Sequence, residues 1–219
     1  MLIADQTGDV PIHLLPREAQ VFSVGRADNA ETEIRDGDGL TISVDCWDLT
    51  VESWEDAQDP AETWRTKKTE IHLPDHIAKS WREVSELGNA VSGIGRYTGH
   101  FHIPQRVRKG VVEIPLRDFV SVRLWINDVR VPVNLYRARA VFSGDVLKEG
   151  DNTIRIEVTS QLFNRLDADG AFAMSFGPPP EGGVPAGGVP GMDDGPMPMA
   201  VDNPPQNYGL TGPVKLTLK

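Results

Sequence analysis

Residues 91–104 read VSGIGRYTGHFHIP, a glycine-rich corner that runs into an alternating stretch. Every second residue from Tyr97 to Ile103 is apolar or glycine, and the residues between them are Thr and His. This period of two predicts a strand with one buried face. The glycines of the corner permit the positive φ values and the close backbone approach that a sharp turn into a sheet requires. Pro104 ends the strand because it has no N–H for a central ladder.

Further strands are predicted on both sides of this stretch. Upstream, residues 40–54 alternate with a register change around positions 47–48, which indicates a turn or bulge between two strands. A short strand covers residues 71–73, and residues 75–86 form the one helical turn, with Asp75 as its N-cap. The downstream strands cover residues 110–115, 119–127, 129–133, 138–142, 144–147, 153–159 and 214–218. Many short strands with almost no helix predict an all-β fold, a β-sandwich of jelly-roll type.

The sequence predicts four regions along the chain. Residues 1–24 hold two short apolar bursts and are interpreted as remnant strands of a preceding domain. Residues 25–39 are polar and make a linker, and residues 40–219 form the jelly-roll sandwich. Within it, positions about 177–205 are so rich in Gly and Pro that they are predicted to be a flexible insertion, since they bury too little surface to offset their chain entropy. A functional lid is the alternative for this insertion.

Bulk composition excludes several classes of protein. The formal net charge of −10 argues against nucleic acid or a membrane surface as a partner, because both need clustered Lys and Arg. The one cysteine, Cys46, excludes an internal disulfide and a cysteine zinc site, and its apolar surroundings predict a buried, inert thiol. The first residues lack the pattern of a signal peptide. The chain is therefore expected to be cytosolic or a piece of a longer, exported parent.

Five motifs occur in a characteristic order: WDLTVESW (47–54), SGIGRYTGHFHIP (92–104), VRLWIND (122–128), LKEGDNTIRIEVTSQLFNRL (147–166) and YGLTGPVKL (208–216). Together they resemble the sugar-binding-like (galactose-binding-domain-like) β-sandwich of large glycoside hydrolases. The resemblance is to the family 2 sugar-binding domain and to the C-terminal jelly roll of α-L-rhamnosidase-like enzymes. This sequence departs from that pattern at Asp128, where the family hairpin has a glycine.

The resemblance implies a non-catalytic, carbohydrate-binding-like accessory module. Such a module presents substrate to, or walls the active site of, a (β/α)₈ catalytic domain in the same parent chain, so carbohydrate and that domain are its expected partners. Two alternatives stay open: a purely structural interdomain sandwich without a ligand, and a small stand-alone metal-dependent enzyme. Catalysis by this chain alone is not expected, because Glu55, Asp56 and Asp59 fall in a polar loop and Asp193 and Asp194 in the insertion.

Sugar recognition needs an exposed aromatic face rimmed by planar polar groups. The aromatic candidates are Trp64, Tyr136 and Tyr208, and the hydrogen-bonding candidates near strand ends are Asn134, Arg137, Asn164 and Arg165. The remaining tryptophans fall within apolar patterns and are predicted to serve core or interdomain packing: Trp47, Trp54, Trp81 and Trp125.

No cofactor is required, and two weak metal patterns are present. Asp167 and Asp169 have the spacing that opens a calcium loop, and the resemblance alone implies a structural calcium there. His100 and His102 point the same way on one strand, and they would need His72 or His76 to complete a metal site. Solvent-facing histidines are the alternative.

Overall fold

A computed structural model describes residues 39–169, except positions 58, 60 and 63, together with residues 204–219. The predictions for residues 1–24, for the linker and for the insertion lie outside these residues, apart from Gly39, Pro204 and Pro205. No helix in the described part of the chain is long and apolar enough to cross a membrane.

The described residues form ten strands, two single-turn 3₁₀ helices (Trp81–Glu83 and Gly144–Val146) and one short helix, α1 (Phe163–Ala168). The strands are β1 (Leu40–Val44), β2 (Cys46–Glu55), β3 (Lys67–Ile77), β4 (Gly93–Ile103), β5 (Lys109–Glu113), β6 (Ser121–Ile126), β7 (Val129–Val131), β8 (Arg139–Ser143), β9 (Gly150–Thr159) and β10 (Val214–Leu218).

The strands make two antiparallel sheets that share one core. The smaller sheet has the order β1-β10-β5-β8, and the larger has the order β3-β2-β4-β9-β6-β7. A single cluster of buried hydrophobic residues draws on both sheets. The predicted all-β sandwich with very little helix is therefore confirmed.

Strand β4 lies at the centre of the larger sheet and alternates as the sequence predicts. Tyr97 and Ile103 are buried on the inner face, while His100 and His102 are exposed on the outer face. Gly93 begins the strand at φ 150°, and a Cβ there would clash with the carbonyl oxygen of Glu52 on β2. This close approach is what the glycine corner provides.

Asp45 is the single residue between β1 of the smaller sheet and β2 of the larger sheet. The burial of the residues around it corrects one prediction. Val44 and Trp47 are buried on either side of it, whereas Cys46 between them is exposed. The alternation shifts its phase at Asp45, so the thiol predicted to be buried faces solvent. The predicted irregularity is present, since the β2–β3 register shifts between Trp47 and Leu49.

The predicted helix over residues 75–86 is wrong. Strand β3 runs through Pro74 and Asp75 to Ile77, and only a 3₁₀ turn follows. Proline is tolerated because β3 is an edge strand of the larger sheet. The apolar stripe that indicated a helix does not lie on one face: Ile77 is 54% exposed, whereas Trp81 is fully buried.

Two smaller segments also differ from prediction. The strand predicted over residues 144–147 is a 3₁₀ turn, whose start is capped by the Ser143 hydroxyl accepting from the N–H of Asp145. Helix α1 was not predicted, because six residues carry too little periodicity to mark a helix. The other predicted strands are present with shifted ends, and β10 matches its predicted range.

Candidate functional site

The three aromatic residues proposed for sugar binding differ in exposure. Trp64 is 75% exposed and Tyr136 is 73% exposed, as the sequence predicts. Tyr208 is 1% exposed, so the prediction that its ring faces solvent is wrong. Only the first two can offer a ring face to a ligand without rearrangement of the fold.

Trp64 belongs to the connection between β2 and β3, which also forms a shallow depression of about 390 Å³. The described residues lining it are Ala57, Asp59, Glu62, Arg65, Thr66 and Lys67. An ion pair joins Arg65 to Glu62 at 3.0 Å, and Lys67 bonds Glu55 at 2.7 Å. The connection thus carries both kinds of group that sugar recognition uses, charged side chains for the hydroxyls and an exposed indole for the apolar ring face, although Trp64 does not line the depression.

Tyr136 lies in the turn between β7 and β8. The Asn134 side-chain oxygen accepts from the N–H groups of Tyr136 and Arg137, at 3.1 and 3.3 Å, and Asn134 also pairs through its backbone with Arg139. Asn134 therefore shapes the turn, and its oxygen is already engaged. Arg137 is exposed beside the tyrosine.

The two exposed aromatic residues do not form one site. Trp64 precedes β3 and Tyr136 follows β7, and these strands are the opposite edges of the larger sheet. Five interstrand spacings separate the two edges, about 24 Å. Each aromatic residue is thus a separate candidate, and the structure does not bring the predicted set together.

Asn164 and Arg165, predicted as ligand contacts, both lie on α1. Asn164 is 4% exposed, and its side chain donates to the carbonyl of Gln206 at 2.9 Å and accepts from the N–H of Gln206 at 2.8 Å. This double hydrogen bond fastens the segment leading into β10 against α1. Arg165 is half-buried. In this conformation Asn164 holds the fold together and does not reach solvent.

A buried aromatic network, which the sequence did not predict, explains why Tyr208 is inside. The Tyr97 hydroxyl accepts from Trp81 Nε1 at 2.6 Å and from the N–H of Leu210 at 3.1 Å. Tyr208 packs edge-on against Trp81, with ring centres 6.1 Å apart. Burial raises the pKa of Tyr97 to about 12, so its hydroxyl stays protonated. This network is structural, and the sequence signal for it was the apolar context of Trp81.

The outer face of the larger sheet carries a ladder of charges. Glu52 of β2 accepts from Lys68 at 2.9 Å, from Trp54 Nε1 at 2.8 Å and from Arg96 at 3.1 Å. Hydrogen bonds from these groups, that from Lys68 foremost, lower the pKa of Glu52 to about 2.

The four tryptophans predicted to serve packing differ in burial. Trp54 and Trp125 are half-buried on the outer face and are not in the core. Trp47 and Trp81 are core residues, as predicted.

The predicted metal ligands do not converge in the described residues. Asp167 lies inside α1 and Asp169 directly follows it, so the segment expected to open a calcium loop is helical. His102 pairs with Asp151 at 2.9 Å, whereas His72 lies beside Asp48 at 3.3 Å. Among residues 39–169 and 204–219, as far as they are described, no group of three or more His, Cys, Asp or Glu side chains is placed to hold a metal ion.

His76, the other candidate metal ligand, lies at the end of β3 and is 8% exposed. Burial lowers its pKa below the usual 6.5, and the nearby charge of Lys79 acts in the same direction. The neutral ring thus belongs to the interior at the sheet crossing and does not face the outer side that holds His100 and His102.

Comparison with known proteins gives a fold and no family. Neither a family model nor a curated protein matches the sequence. Among solved structures, a rhamnosidase from Novosphingobium sp. PP1Y matches 89% of this chain with a TM-score of 0.51 and 22% identity. A GH2 β-galacturonidase from Eisenbergiella tayi matches 84% of the chain with a TM-score of 0.43 and 13% identity.

These matches cover a small part of each solved chain. The matched part of this chain covers 16% of the rhamnosidase and 26% of the β-galacturonidase. At 22% identity the likeness to the rhamnosidase establishes a shared sandwich fold and nothing about ligands. The chain thus has the fold of one segment of a large glycoside hydrolase.

Proposed function

We propose that this chain is a non-catalytic, carbohydrate-binding-like accessory module of a glycoside hydrolase of the α-L-rhamnosidase type. It presents substrate to, or walls the active site of, a catalytic domain elsewhere in the parent chain. The observation that carries the proposal is the likeness to the rhamnosidase, which extends over 89% of this chain but only 16% of that protein. A fold that occupies so small a share of an enzyme is one module among several.

Two glutamates of β2, Glu52 and Glu55, support the non-catalytic part of the proposal. Glycoside hydrolysis needs one carboxylic acid with a raised pKa as proton donor, facing a second carboxylate across the sugar. The pKa values of Glu52 and Glu55 are both lowered, chiefly by hydrogen bonds from Lys68 and Lys67 respectively. Neither residue therefore holds a proton to donate near neutral pH.

The depression beside Trp64 is the favoured ligand site. Its acidic and basic side chains lie on the same connection as the Trp64 indole, which is 75% exposed but does not itself line the depression. The turn of Tyr136 offers an equally exposed ring, but the neighbouring Asn134 oxygen already accepts two backbone hydrogen bonds. The connection of Trp64 is favoured because it carries four charged side chains around one depression, namely Asp59, Glu62, Arg65 and Lys67.

The test is a calorimetric titration of the full chain with L-rhamnose and with neutral plant and bacterial oligosaccharides, with and without calcium. We expect saturable binding that Trp64→Ala abolishes and that Tyr136→Ala, the matched control at 73% exposure, leaves unchanged. Loss in the Tyr136 variant alone would move the site to the β7–β8 turn. The absence of binding to every saccharide would contradict the proposal.

A structural interdomain role is the second candidate, and one surface favours it. Leu162 and Leu166 are 43% and 41% exposed and lie one helical turn apart at α1. An apolar patch of this kind fits packing against another domain. If this role is correct, the folded chain binds a hydrophobic dye in the absence of any sugar binding, and Leu166→Glu weakens the dye signal.

A further inference from the structure

Two arginines flank a tryptophan on the outer face of the larger sheet. Trp125 of β6 lies opposite Arg155 of β9 on one side and opposite Arg130 of β7 on the other. The guanidinium carbon of Arg155 lies 4.4 Å from the centre of the Trp125 ring. Both arginines are exposed and the tryptophan is half-buried. These three residues are called the Trp125 cluster.

Among the described residues no carboxylate pairs with the arginines of this cluster, whereas other cations of the same face do have such partners. Lys68 and Arg96 both bond to Glu52, at 2.9 and 3.1 Å, and Arg123 bonds to Glu157 at 2.8 Å. Within the part of the chain that the structure describes, Arg130 and Arg155 have no carboxylate partner. In a chain with a net charge of −10, two neighbouring arginines without a counter-charge leave a local positive potential that attracts an anion.

The chemistry of the cluster selects among anions. A guanidinium that lies over an indole ring keeps its N–H donors in its own plane, and these donors match the two oxygens of a carboxylate. The Arg155 guanidinium covers one face of the half-buried indole, and the part of the indole that stays exposed adds an apolar surface beside the two cations. Arg130 and Arg155 sit on strands two spacings apart, about 10 Å, so a ligand that uses both must be extended.

We propose that the Trp125 cluster binds the carboxylates of uronate units in an acidic oligosaccharide. A uronate unit supplies a carboxylate for an arginine and apolar C–H groups for the part of the indole that Arg155 leaves exposed, whereas an acidic peptide supplies the carboxylate alone. The choice of a saccharide rests on the proposed function, but the surface is separate from Trp64: β6 and β7 lie at the opposite edge of the sheet from β3.

The first experiment titrates the full chain by calorimetry with oligogalacturonate at low salt. Its fully methyl-esterified form and poly-L-glutamate of matched charge are the comparison ligands. We expect saturable binding to oligogalacturonate and binding at least about tenfold weaker to the ester, which cannot accept charge-assisted hydrogen bonds. Poly-L-glutamate is also expected to bind more weakly, because it lacks a ring for the indole.

Variants then locate the site. Arg130→Gln combined with Arg155→Gln should weaken oligogalacturonate binding at least about tenfold. Arg155→Lys, which keeps the charge but removes the planar fork, should also weaken it. The matched control is Arg123→Gln, because the Arg123 guanidinium lies on the same face but donates to Glu157 at 2.8 Å. The affinity of this variant for oligogalacturonate should stay within about twofold of the wild type. All of these side chains are exposed, and a thermal melt verifies that each variant is folded.

The outcomes separate this inference from the proposed function. Equal losses in the Arg123 variant, or equal binding of poly-L-glutamate, would overturn it in favour of non-selective anion attraction or of an acidic protein partner. Neutral sugars that bind at Trp64 without any uronate binding would overturn this inference alone. If no saccharide of either kind binds, both proposals fail.

Discussion

Trp81 and Trp125 lie on opposite faces of the larger sheet, and their surroundings differ. On the inner face Trp81 is fully buried, and its indole N–H donates to the Tyr97 hydroxyl at 2.6 Å. On the outer face Trp125 is half-buried beside the exposed Arg155. The Trp81 indole is enclosed and hydrogen-bonded within the protein, whereas part of the Trp125 ring and the guanidinium of Arg155 remain accessible to a ligand. Stability is therefore expected to depend on the first and binding on the second.

The inner face shows how closely its parts fit. A Cβ on Gly95 or on Gly209 would clash with the Trp81 ring, so two backbone segments approach this one side chain. The backbone N–H of Trp81 also donates to the backbone carbonyl of Tyr208 at 3.0 Å. In this way Trp81 joins β4 to the segment that leads into β10. Nothing comparable confines the outer tryptophan.

The largest expected effect is that of Trp81→Ala. Truncation removes a fully buried indole and leaves the Tyr97 hydroxyl without its shortest hydrogen bond, which together should lower the free energy of unfolding by about 4 kcal/mol. Equilibrium urea denaturation followed by fluorescence measures this change. Trp125→Ala is the control and should cost about 1 kcal/mol, because that ring is only half-buried. Equal losses in the two variants would contradict the contrast between the faces.

The second prediction concerns the glycine that lies against Trp81. Gly209 has φ 81°, and a Cβ there would clash with the indole nitrogen of Trp81 and the hydroxyl of Tyr97. Gly209→Ala combines left-handed backbone strain with overpacking and should destabilise the protein by about 3 kcal/mol. Gly212→Ala, where a Cβ would meet nothing within 4 Å, should change stability little. A tolerated Gly209 variant would show that the inner face is looser than described.

The third prediction tests whether Asn164 serves the fold, as its burial indicates. Asn164→Ala removes both hydrogen bonds to the backbone of Gln206 and should cost about 2 kcal/mol in urea denaturation. Asn134→Ala also removes two hydrogen bonds to backbone N–H groups, but in an exposed turn where water replaces them, and should cost about 0.5 kcal/mol. If Asn164→Ala weakened sugar binding without loss of stability, the earlier interpretation of Asn164 as a ligand contact would be restored.

The sequence predicted the fold wherever periodicity alone determined burial. Strand β4 and strand β10 follow a period of two with one apolar face, and both were predicted correctly. Errors arose where tertiary context decided the outcome. Cys46 is exposed because one crossing residue shifts the alternation. Of the stripe predicted to be helical, Ile77 ends β3 and only Trp81 lies in the 3₁₀ turn, where it packs against the inner face of the sheet.

The site was less predictable than the fold for a physical reason. Exposure of Trp64 and Tyr136 could be inferred from their polar surroundings, but their separation at opposite edges depends on strand order, which a single sequence does not contain. Tyr208 is inside because Trp81, which lies far earlier in the chain, packs against its ring, and because the Tyr97 hydroxyl accepts from the N–H of the nearby Leu210. The Trp125 cluster likewise requires the pairing of β6 with both β7 and β9.

The smallest predicted effect belongs to the outer face and depends on pH. The pKa of Glu52 is lowered from 4.5 to about 2, first by the hydrogen bond from Lys68, so its charged form favours the folded state. That contribution is complete above pH 4.5 and is lost as the pH falls towards 2. Because the carboxylate lies at a solvated sheet face, screening limits the contribution to about 1 kcal/mol. Glu52→Gln should thus lower stability by that amount at neutral pH and progressively less in acid.

Urea denaturation of the wild type and of Glu52→Gln over a pH series measures this difference. Glu70→Gln is the control on the neighbouring strand, since Glu70 is 68% exposed and lies 3.7 Å from Arg96, and it should show almost no pH-dependent difference. A Glu52 difference that stays constant from neutral pH into acid would mean that the charge on this carboxylate does not stabilise the fold. In that case the side chains around Glu52 on the outer face would be held by packing and not by ionic bonds. The contact responsible would be that of Lys68 with Trp54, in which the ammonium lies 5.6 Å from the ring centre.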